Sequence, residues 1–458
     1  MSAVVESIAG DSRAVALLGG ADGERALAWH GTHRVSVAEF LADVAHAAAA
    51  LPNARAAINL CEDRYAFLVA FCAVACRGQT NLLPPSRAAH AVDEALKAYA
   101  GSYPLSDVVL VPMPERFVQL ARLDRAPIER GLANPYVHTG QCTAIGFTSG
   151  STGQPKPNPK TWVAFQATSA RNSAALIDAL GLAPNTTAQI VATVPPQHMY
   201  GIEMSILLPL LGPFSVHSGR PLFPADVAAA LAQVPEPRVL VTTPIHLRAL
   251  LRDSNPLPRL GVITSATAPL PAELAAEAEA RYGAPVVEFF GSTETCVIAQ
   301  RRTAHEQDWH LYPDVSLQPQ PDGTVVDAPY FSQPVILPDV VELMPERGFR
   351  LCGRHADLVD IAGKRASLAD LTRRVLALAG VHDAIVFQLD TPDRSGVARI
   401  AALVVAPERS EADLLNDLRS AMDPAFLPRP LRRVTALPRN ETGKLPRAAL
   451  LAALRDPD

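Results

Sequence analysis

Between residues 143 and 290, short apolar runs alternate with segments of helical spacing, and this alternation constrains the fold more than any other feature of the chain. Strands are expected at 143–147, 190–194, 239–242, 260–264 and 286–290, with helices at 162–180, 225–233 and 271–282. Strands that alternate with helices of this length imply parallel sheets covered by helices. Residues 310–352 lose the helices and gain Pro, Gly and short apolar runs, which predicts a small antiparallel sheet or barrel. Beyond Gly353 the pattern changes again: helices at 368–379, 411–422 and 446–454, and strands at 384–389, 400–405 and 431–436. Upstream, Ser36 stands three residues before Glu39, a capping-box spacing that starts a helix over 35–51. The fold class expected is α/β. A large N-terminal domain over 1–353 combines helix-covered, mostly parallel sheets with a small β-barrel-like sheet. A small α+β C-terminal domain follows over 354–458. A chain of 458 residues is too long for one simple core.

Composition narrows the class. The chain is 48% hydrophobic and 19% charged, as a globular protein should be. Its most apolar segment, 66–76, is too short to span a bilayer and reads as a buried helix. The N-terminus shows no basic stretch leading into an apolar run, so no secretory signal is expected. Six scattered cysteines suggest neither disulfides nor a zinc site, which fits a reducing cytoplasm. A net charge of −5 argues against nucleic acid. From Arg354 onward 16 Lys+Arg stand against 14 Asp+Glu, so the tail carries +2 and the remainder −7. A mildly basic tail would suit an acidic macromolecular partner, although ordinary surface variation gives the same count.

The segment Phe147-Thr148-Ser149-Gly150-Ser151-Thr152-Gly153-Gln154-Pro155-Lys156 concentrates hydroxyls, glycines and a lysine. Glycines let backbone N–H groups approach an anion, hydroxyls add donors and the lysine adds charge. That chemistry holds the phosphates of a nucleotide. The spacing is not that of the common phosphate loop G-x-x-x-x-G-K-[ST]. Taken alone, the segment also reads as a Gly/Ser-rich surface loop.

Four segments together resemble the AMP-forming adenylating enzymes: acyl- and aryl-CoA synthetases, peptide-synthetase adenylation domains and firefly luciferase. Residues 147–156 resemble the family's signature loop. Phe290-Gly291-Ser292-Thr293-Glu294-Thr295 resembles its aromatic-Gly-Ser-Thr-Glu motif. Gly353-Arg354 with Gly363-Lys364 resembles its domain junction, and Pro438-Arg439-Asn440-Glu441-Thr442-Gly443-Lys444 its C-terminal lysine motif. The resemblance covers residues 147–447; the first 140 residues carry no motif.

The resemblance implies a role for each matching residue. Thr148, Ser149, Gly150, Ser151, Thr152, Gly153 and Lys156 would cradle the β- and γ-phosphates of ATP. Lys160 is either a further phosphate contact or a solvated lysine. Glu294 would hold Mg²⁺, or else be a glutamate starting a helix after a strand. Thr293 would contact the α-phosphate, and Phe290, with Gly291 and Ser292 beside it, would stack on adenine. Asp339 would grip the ribose hydroxyls with Arg354, although it lacks the usual Thr-Gly-Asp setting and also suits a turn after proline. Lys444 would bridge the substrate carboxylate and the α-phosphate; otherwise it is a surface lysine in a Gly turn. His198, in Pro195-Pro196-Gln197-His198-Met199-Tyr200-Gly201, matches a residue gating the acyl pocket. Ser265, Ala266 and Thr267 stand where relatives carry glycines, which would narrow that pocket toward a compact, flat acid. At the junction the order is Arg354-His355-Ala356-Asp357, so Ala356 takes the usual hinge position and Asp357 would share its task.

The activity implied is attack of a carboxylate on the α-phosphate of ATP, followed by transfer of the acyl group to a thiol. Residues 154–162 are similar to aryl-acid ligases of aryl polyene and xanthomonadin-type pigment clusters. That points to a small aryl or hydroxyaryl acid and to the phosphopantetheine of an acyl carrier protein as acceptor. Free CoA is the alternative. A luciferase-like oxidase and a non-catalytic binding module are the readings from other classes; the intact Lys156, Glu294 and Lys444 argue against the second.

Overall fold

The computed structural model describes residues 13–20, 22–84, 86–120, 133–149, 155–183, 186–320, 323–354, 358–361, 364–389, 399–440 and 445–455. Contacts divide the chain into two compact units, Met1–Gln307 with Tyr330–Ser332, and Asp308–Pro329 with Gln333–Asp458. The strands between 308 and 354 therefore group with the C-terminal residues, and the units do not part at 353/354. Compactness and hinge position are separate properties: 353/354 is where the sequence places a moving junction.

The first unit contains two large sheets. One has the spatial order Pro155–Thr161, Cys142–Ser149, Thr80–Leu83, Ala56–Asn59, Tyr103–Ser106, Val118–Gln119, parallel except at the Pro155–Thr161 edge. The other runs Cys296–Arg301, Val286–Ser292, Val262–Ser265, Arg238–Thr242, Ala188–Ala192, Phe214–His217, Ala26–His30, His33–Ser36. Its interior is parallel and the strand pairs at both ends are antiparallel. The helix Arg64–Cys76 packs against strands of both sheets. Every residue from Arg64 to Ala75 is buried, so the helix needs no polar face. Helices Pro224–Ala232, Pro244–Arg252 and Ala272–Tyr282 cover the second sheet, setting Leu231, Leu247 and Leu274 against Val191, Leu240, Ile263 and Val286.

Two local features show how sequence sets these elements. The helix Val37–Ala50 begins with the expected capping box: Ser36 Oγ accepts from Glu39 N–H at 3.2 Å, and Glu39 Oε2 accepts from Ser36 N–H at 2.7 Å. Pro155–Thr161, by contrast, is a strand that its three prolines conceal. The register pairs Lys156 with Thr148, Asn158 with Gly146 and Lys160 with Ala144. Pro155, Pro157 and Pro159 alternate with those residues, so their missing N–H groups fall on the outer side of an edge strand, where no partner is lost.

The second unit holds short antiparallel strands over 309–354. Trp309–Leu311, Gly348–Arg354 and Asp339–Leu343 form one sheet, and Ser316–Gln320, Gly323–Asp327 and Val335–Leu337 another. A sheet of Asp383–Gln388, Ile400–Val405 and Leu431–Arg433 follows. Period-2 alternation gives it two apolar faces. Ala384, Val386, Ala402 and Val404 pack with residues of helices Leu368–Leu376 and Glu411–Ala421; Phe387, Ala401 and Leu403 pack with Leu450 of Arg447–Arg455. The architecture is the α/β class expected, with strands and helices of the C-terminal part within a few residues of their expected bounds.

Ser36→Ala removes the cap and is expected to lower stability by about 1 kcal/mol, read as a shift in the denaturation midpoint of the first cooperative transition. An unchanged midpoint would mean the helix start is fixed by packing alone.

Candidate active site

The site of the first unit is built where parallel strands end. The strand Ala188–Ala192 runs into Pro195-Pro196-Gln197-His198, Val262–Ser265 into Ala266-Thr267, and Val286–Ser292 into Thr293-Glu294. Ligands of open α/β sheets bind outside the carboxyl ends of such strands.

Glycine brings the pieces together. A Cβ at Gly146, on the strand leading to the Gly/Ser loop, would lie 2.8 Å from Thr293 Cγ2 and 3.1 Å from Met199 Cε. A side chain there would push apart the Thr293 turn, the His198–Gly201 segment and that strand. A Cβ at Gly201 would meet Pro195 O at 1.9 Å, and one at Gly291 would meet Cys296 O at 2.2 Å. Both segments are thus folded too tightly for any other residue.

His198 caps the short helix Met199–Ile202, its Nδ1 accepting from Tyr200 N–H at 3.3 Å, which leaves the ring proton on Nε2. Tyr200 is buried; its hydroxyl lies 2.7 Å from Thr264 Oγ1, and burial pushes the phenol well above its ordinary pKa. Met199 Sδ lies 4.0 Å from Cys296 Sγ. Burial raises that thiol to about 12, so it is inert packing.

Phe290 is half-buried on its strand and Gly291 is exposed beside it. A register shift falls between them. Thr293, Glu294 and Thr295 form the turn of a hairpin between Val286–Ser292 and Cys296–Arg301, so Glu294 does not start a helix. Ser292 Oγ accepts from the N–H of Glu294 at 3.1 Å and of Thr295 at 3.2 Å, which ties the turn from within. Among the described residues no group of three or more His, Cys, Asp or Glu is placed to hold a metal ion. A half-exposed single carboxylate such as Glu294 suits a cation shared with phosphate oxygens and water rather than one caged by protein.

Ser265 and Ala266 are buried, and Thr267 adopts φ +78°, a region where β-branched residues are rare. Threonine thus stands in a conformation that favours glycine. Among the described residues the buried hydroxyls of Ser265 and Thr267 have no hydrogen-bond partner.

Gly150, Ser151, Thr152, Gly153, Ala356, Asp357 and Lys444 lie outside the described residues. Thr148 and Ser149 are placed by their backbone at the end of Cys142–Ser149, and Lys156 is exposed on the strand that pairs with it. Asp339 and Arg354 belong to the second unit, where they are direct cross-strand partners. Asp339 opens a strand and its carbonyl accepts from Thr324 Oγ1 at 2.7 Å, so it is not a turn residue.

Two charged residues near this cluster, Arg64 and Glu203, escaped the motifs, and a third, Lys160, was expected at a phosphate or in solvent. Arg64 is fully buried and donates to Ser205 Oγ at 2.5 Å and to the carbonyls of Ala192 and Val194 at 2.9 and 2.8 Å. Burial lowers its pKa to about 9. Lys160 is buried rather than solvated, and its Nζ donates to the Glu294 carbonyl. Glu203 is buried in the π-helical segment Glu203–Leu207 and accepts from Val297 N–H and Asn172 Nδ2. The signal for Glu203 was a lone carboxylate within the apolar run 199–211, a place where ionisable residues are seldom left unpaired.

Residues 13–329 match the profile of the AMP-binding enzyme family, and the chain belongs to that family. Over 337 residues it is 30% identical to a 4-coumarate–CoA ligase of Halorhodospira halophila, covering 69% of this chain and 77% of that protein. It is 27% identical over 349 residues to a sulfoacetate–CoA ligase of Cupriavidus necator, covering 67% and 66%. Its fold is that of ATP-bound MatB from Rhodopseudomonas palustris, with a TM-score of 0.79 at 20% identity over 95% of this chain and 97% of that one. It is likewise that of o-succinylbenzoate CoA synthetase from Bacillus subtilis bound to an acyl-adenylate, with a TM-score of 0.77 at 18% identity over 95% and 96%. Among the described residues no helix is long and apolar enough to cross a membrane.

Burial raises the Glu203 carboxyl to about 7, against the opposing pull of Val297 N–H, Asn172, Lys160 and Thr168. The folded chain then binds this proton more tightly than the unfolded one. Glu203 therefore favours folding most at low pH and progressively less between its unfolded value of 4.5 and about 7. Glu203→Gln is expected to flatten that part of the melting-temperature profile between pH 5 and 8. Parallel profiles for the two proteins would show that the carboxyl is ionised throughout.

Proposed function

We propose that the protein is an ATP- and Mg²⁺-dependent, AMP-forming acid–thiol ligase. A carboxylate oxygen of a small acid attacks the α-phosphorus of ATP, and pyrophosphate leaves. A thiol sulfur then attacks the acyl carbon, and AMP leaves. The observation that carries this reading is the convergence of the signature-loop strand, the Thr293–Glu294 turn and the His198–Gly201 segment about Gly146. A carboxylate and a triphosphate repel each other, so catalysis rests on neutralising charge and aligning the two groups.

In this reading the residues of 148–156 hold the β- and γ-phosphates, Thr293 meets the α-phosphate and Phe290 lies against adenine. Glu294 holds the cation, which supplies charge neutralisation at the phosphates when bound. Asp339 and Arg354, cross-strand neighbours in their sheet, share the ribose. Lys444 bridges the carboxylate and the α-phosphate, Ala356 and Asp357 form the hinge, and a boundary at 353/354 separates the moving part. His198 gates the acid pocket. The bulk of Ala266 and Thr267 favours a compact aryl or hydroxyaryl acid, in keeping with the acid for which the 4-coumarate–CoA ligase relative is named.

The acceptor is the phosphopantetheine thiol of an acyl carrier protein, to which the +2 tail is suited. Free CoA is the second reading, favoured by relatives named as CoA ligases.

Pyrophosphate release with ATP, Mg²⁺ and a panel of aryl, cinnamyl and aliphatic acids tests the first step; release with an aryl acid is expected. Each acid is run with CoA, with holo carrier protein and with neither, and the acceptor that yields thioester is the one used. Absence of release with every acid would overturn the reading, and oxygen uptake in the same assay would favour an oxidase. Lys444→Ala is expected to slow adenylate formation roughly 10²–10³-fold; an unchanged rate would remove Lys444 from the site. Thr267→Gly, which suits the local backbone, is expected to keep the fold and admit bulkier acids, read as a rise in kcat/KM for branched substrates.

A further inference from the structure

The Thr293–Glu294 turn is gripped by two buried charged residues. Lys160 is 6% exposed and lies at the end of the strand returning from the Gly/Ser loop; its Nζ donates to the Glu294 carbonyl. Glu203 is 1% exposed, and its two oxygens lie 3.0 and 3.1 Å from Val297 N. Asn172 Nδ2 donates to the same carboxyl at 3.3 Å. Glu203 also feels the charge of Lys160.

Burying these groups is expensive, and apolar residues of similar size would fill the space at lower cost. The π-helical turn that carries Glu203 is a further local departure, of a kind that recurs at functional places. Both costs fall on one hairpin. Lys160 fixes the middle of its turn, and Glu203 fixes the backbone two residues beyond it. Lys160 is also four residues from Lys156 on the same strand, with side chains on the same face. The stem of the signature loop and the turn bearing Thr293 and Glu294 are thereby tied together.

We infer that Lys160 and Glu203 are positioning residues for adenylate formation, setting where Thr293 and Glu294 stand relative to the strand that returns from the signature loop. The inference rests on the reading of Thr293 and Glu294 as contacts for ATP and its cation. The two residues act through the hairpin backbone and touch neither substrate.

The test compares wild type with K160M, K160R, E203Q, E294Q and the double variant K160M/E294Q. Pyrophosphate release is measured with saturating acid while MgATP and Mg²⁺ are varied, alongside melting temperature. K160M and E203Q are expected to lower kcat about 10- to 100-fold, as displaced reacting groups do, and to raise the Mg²⁺ half-saturation. The KM for the acid should stay within about twofold, because the fault lies at the phosphates. K160R, long enough to reach the carbonyl, should recover most of the rate. The double variant should be no slower than E294Q alone, because both changes act at one turn.

Folded K160M or E203Q with wild-type kcat and Mg²⁺ dependence would overturn the inference. So would losses that multiply in the double variant, or that follow melting temperature alone. Should K160M fail to fold, E203Q decides by the same criteria, since it keeps the shape and one acceptor for Val297 N–H. An active wild type with an impaired E294Q and an unimpaired K160M would sink this inference while leaving the proposed function standing. A wild type that releases no pyrophosphate would sink both.

Discussion

The absence of a side chain at residue 146 is the constraint on which the site depends. The strand Cys142–Ser149 can approach the Thr293 turn and Met199 only because nothing projects from Gly146. Interiors are close-packed, so one added carbon 2.8 Å from Thr293 Cγ2 and 3.1 Å from the buried Met199 Cε must displace those side chains or the strand itself. Three chain segments far apart in sequence share that space. Their mutual position is therefore set by packing before any ligand arrives, and a preorganised arrangement is what an electrostatic mechanism requires.

Around this contact the chain buries charge rather than avoiding it. Arg64 bonds the carbonyls at the end of the strand Ala188–Ala192 and so fixes the start of the segment leading to His198. Lys160 and Glu203 do the equivalent for the Thr293–Glu294 hairpin. Each replaces the water that a backbone carbonyl or N–H would otherwise need in the interior, and each makes the local conformation specific. The stability given up to desolvation is thus spent where the geometry matters.

Local chemistry was legible in the sequence and long-range pairing was not. The helix Trp162–Leu180 matches its expected bounds because Thr161 caps one end and Gly181, at φ +59°, ends the other. The capping box at Ser36 and Glu39 was equally plain. The strand Pro155–Thr161 was hidden because prolines look like loop until the edge position is known. The helices Met199–Ile202 and Pro244–Arg252 were missed as well, the first short and continued by a π-helical turn, the second opened by proline without a side-chain cap. Of the candidate site, the motif segments were legible through their resemblance to the family's motifs, which the match over residues 13–329 supports at the level of the family. Arg64 was not, because a lone charge in a sequence resembles a surface residue until its burial is seen; Lys160 stood only as a phosphate contact or a solvated lysine, and Glu203 only as a lone carboxylate in an apolar run.

The hairpin that pairs Asp339 with Arg354 has a consequence for how such motifs are recognised. Its tip places Glu346 and Arg347 at φ +55° and +60°, with Gly348 N–H bonded to Pro345 O at 2.9 Å. A tight tip of this kind sets which residues face each other across the strands. The interval between the aspartate and the arginine is accordingly a by-product of strand length and tip size. A homologue with a longer tip would keep the two residues opposite each other while changing the number of residues between them. A search by fixed interval would overlook it; a search by facing positions would not.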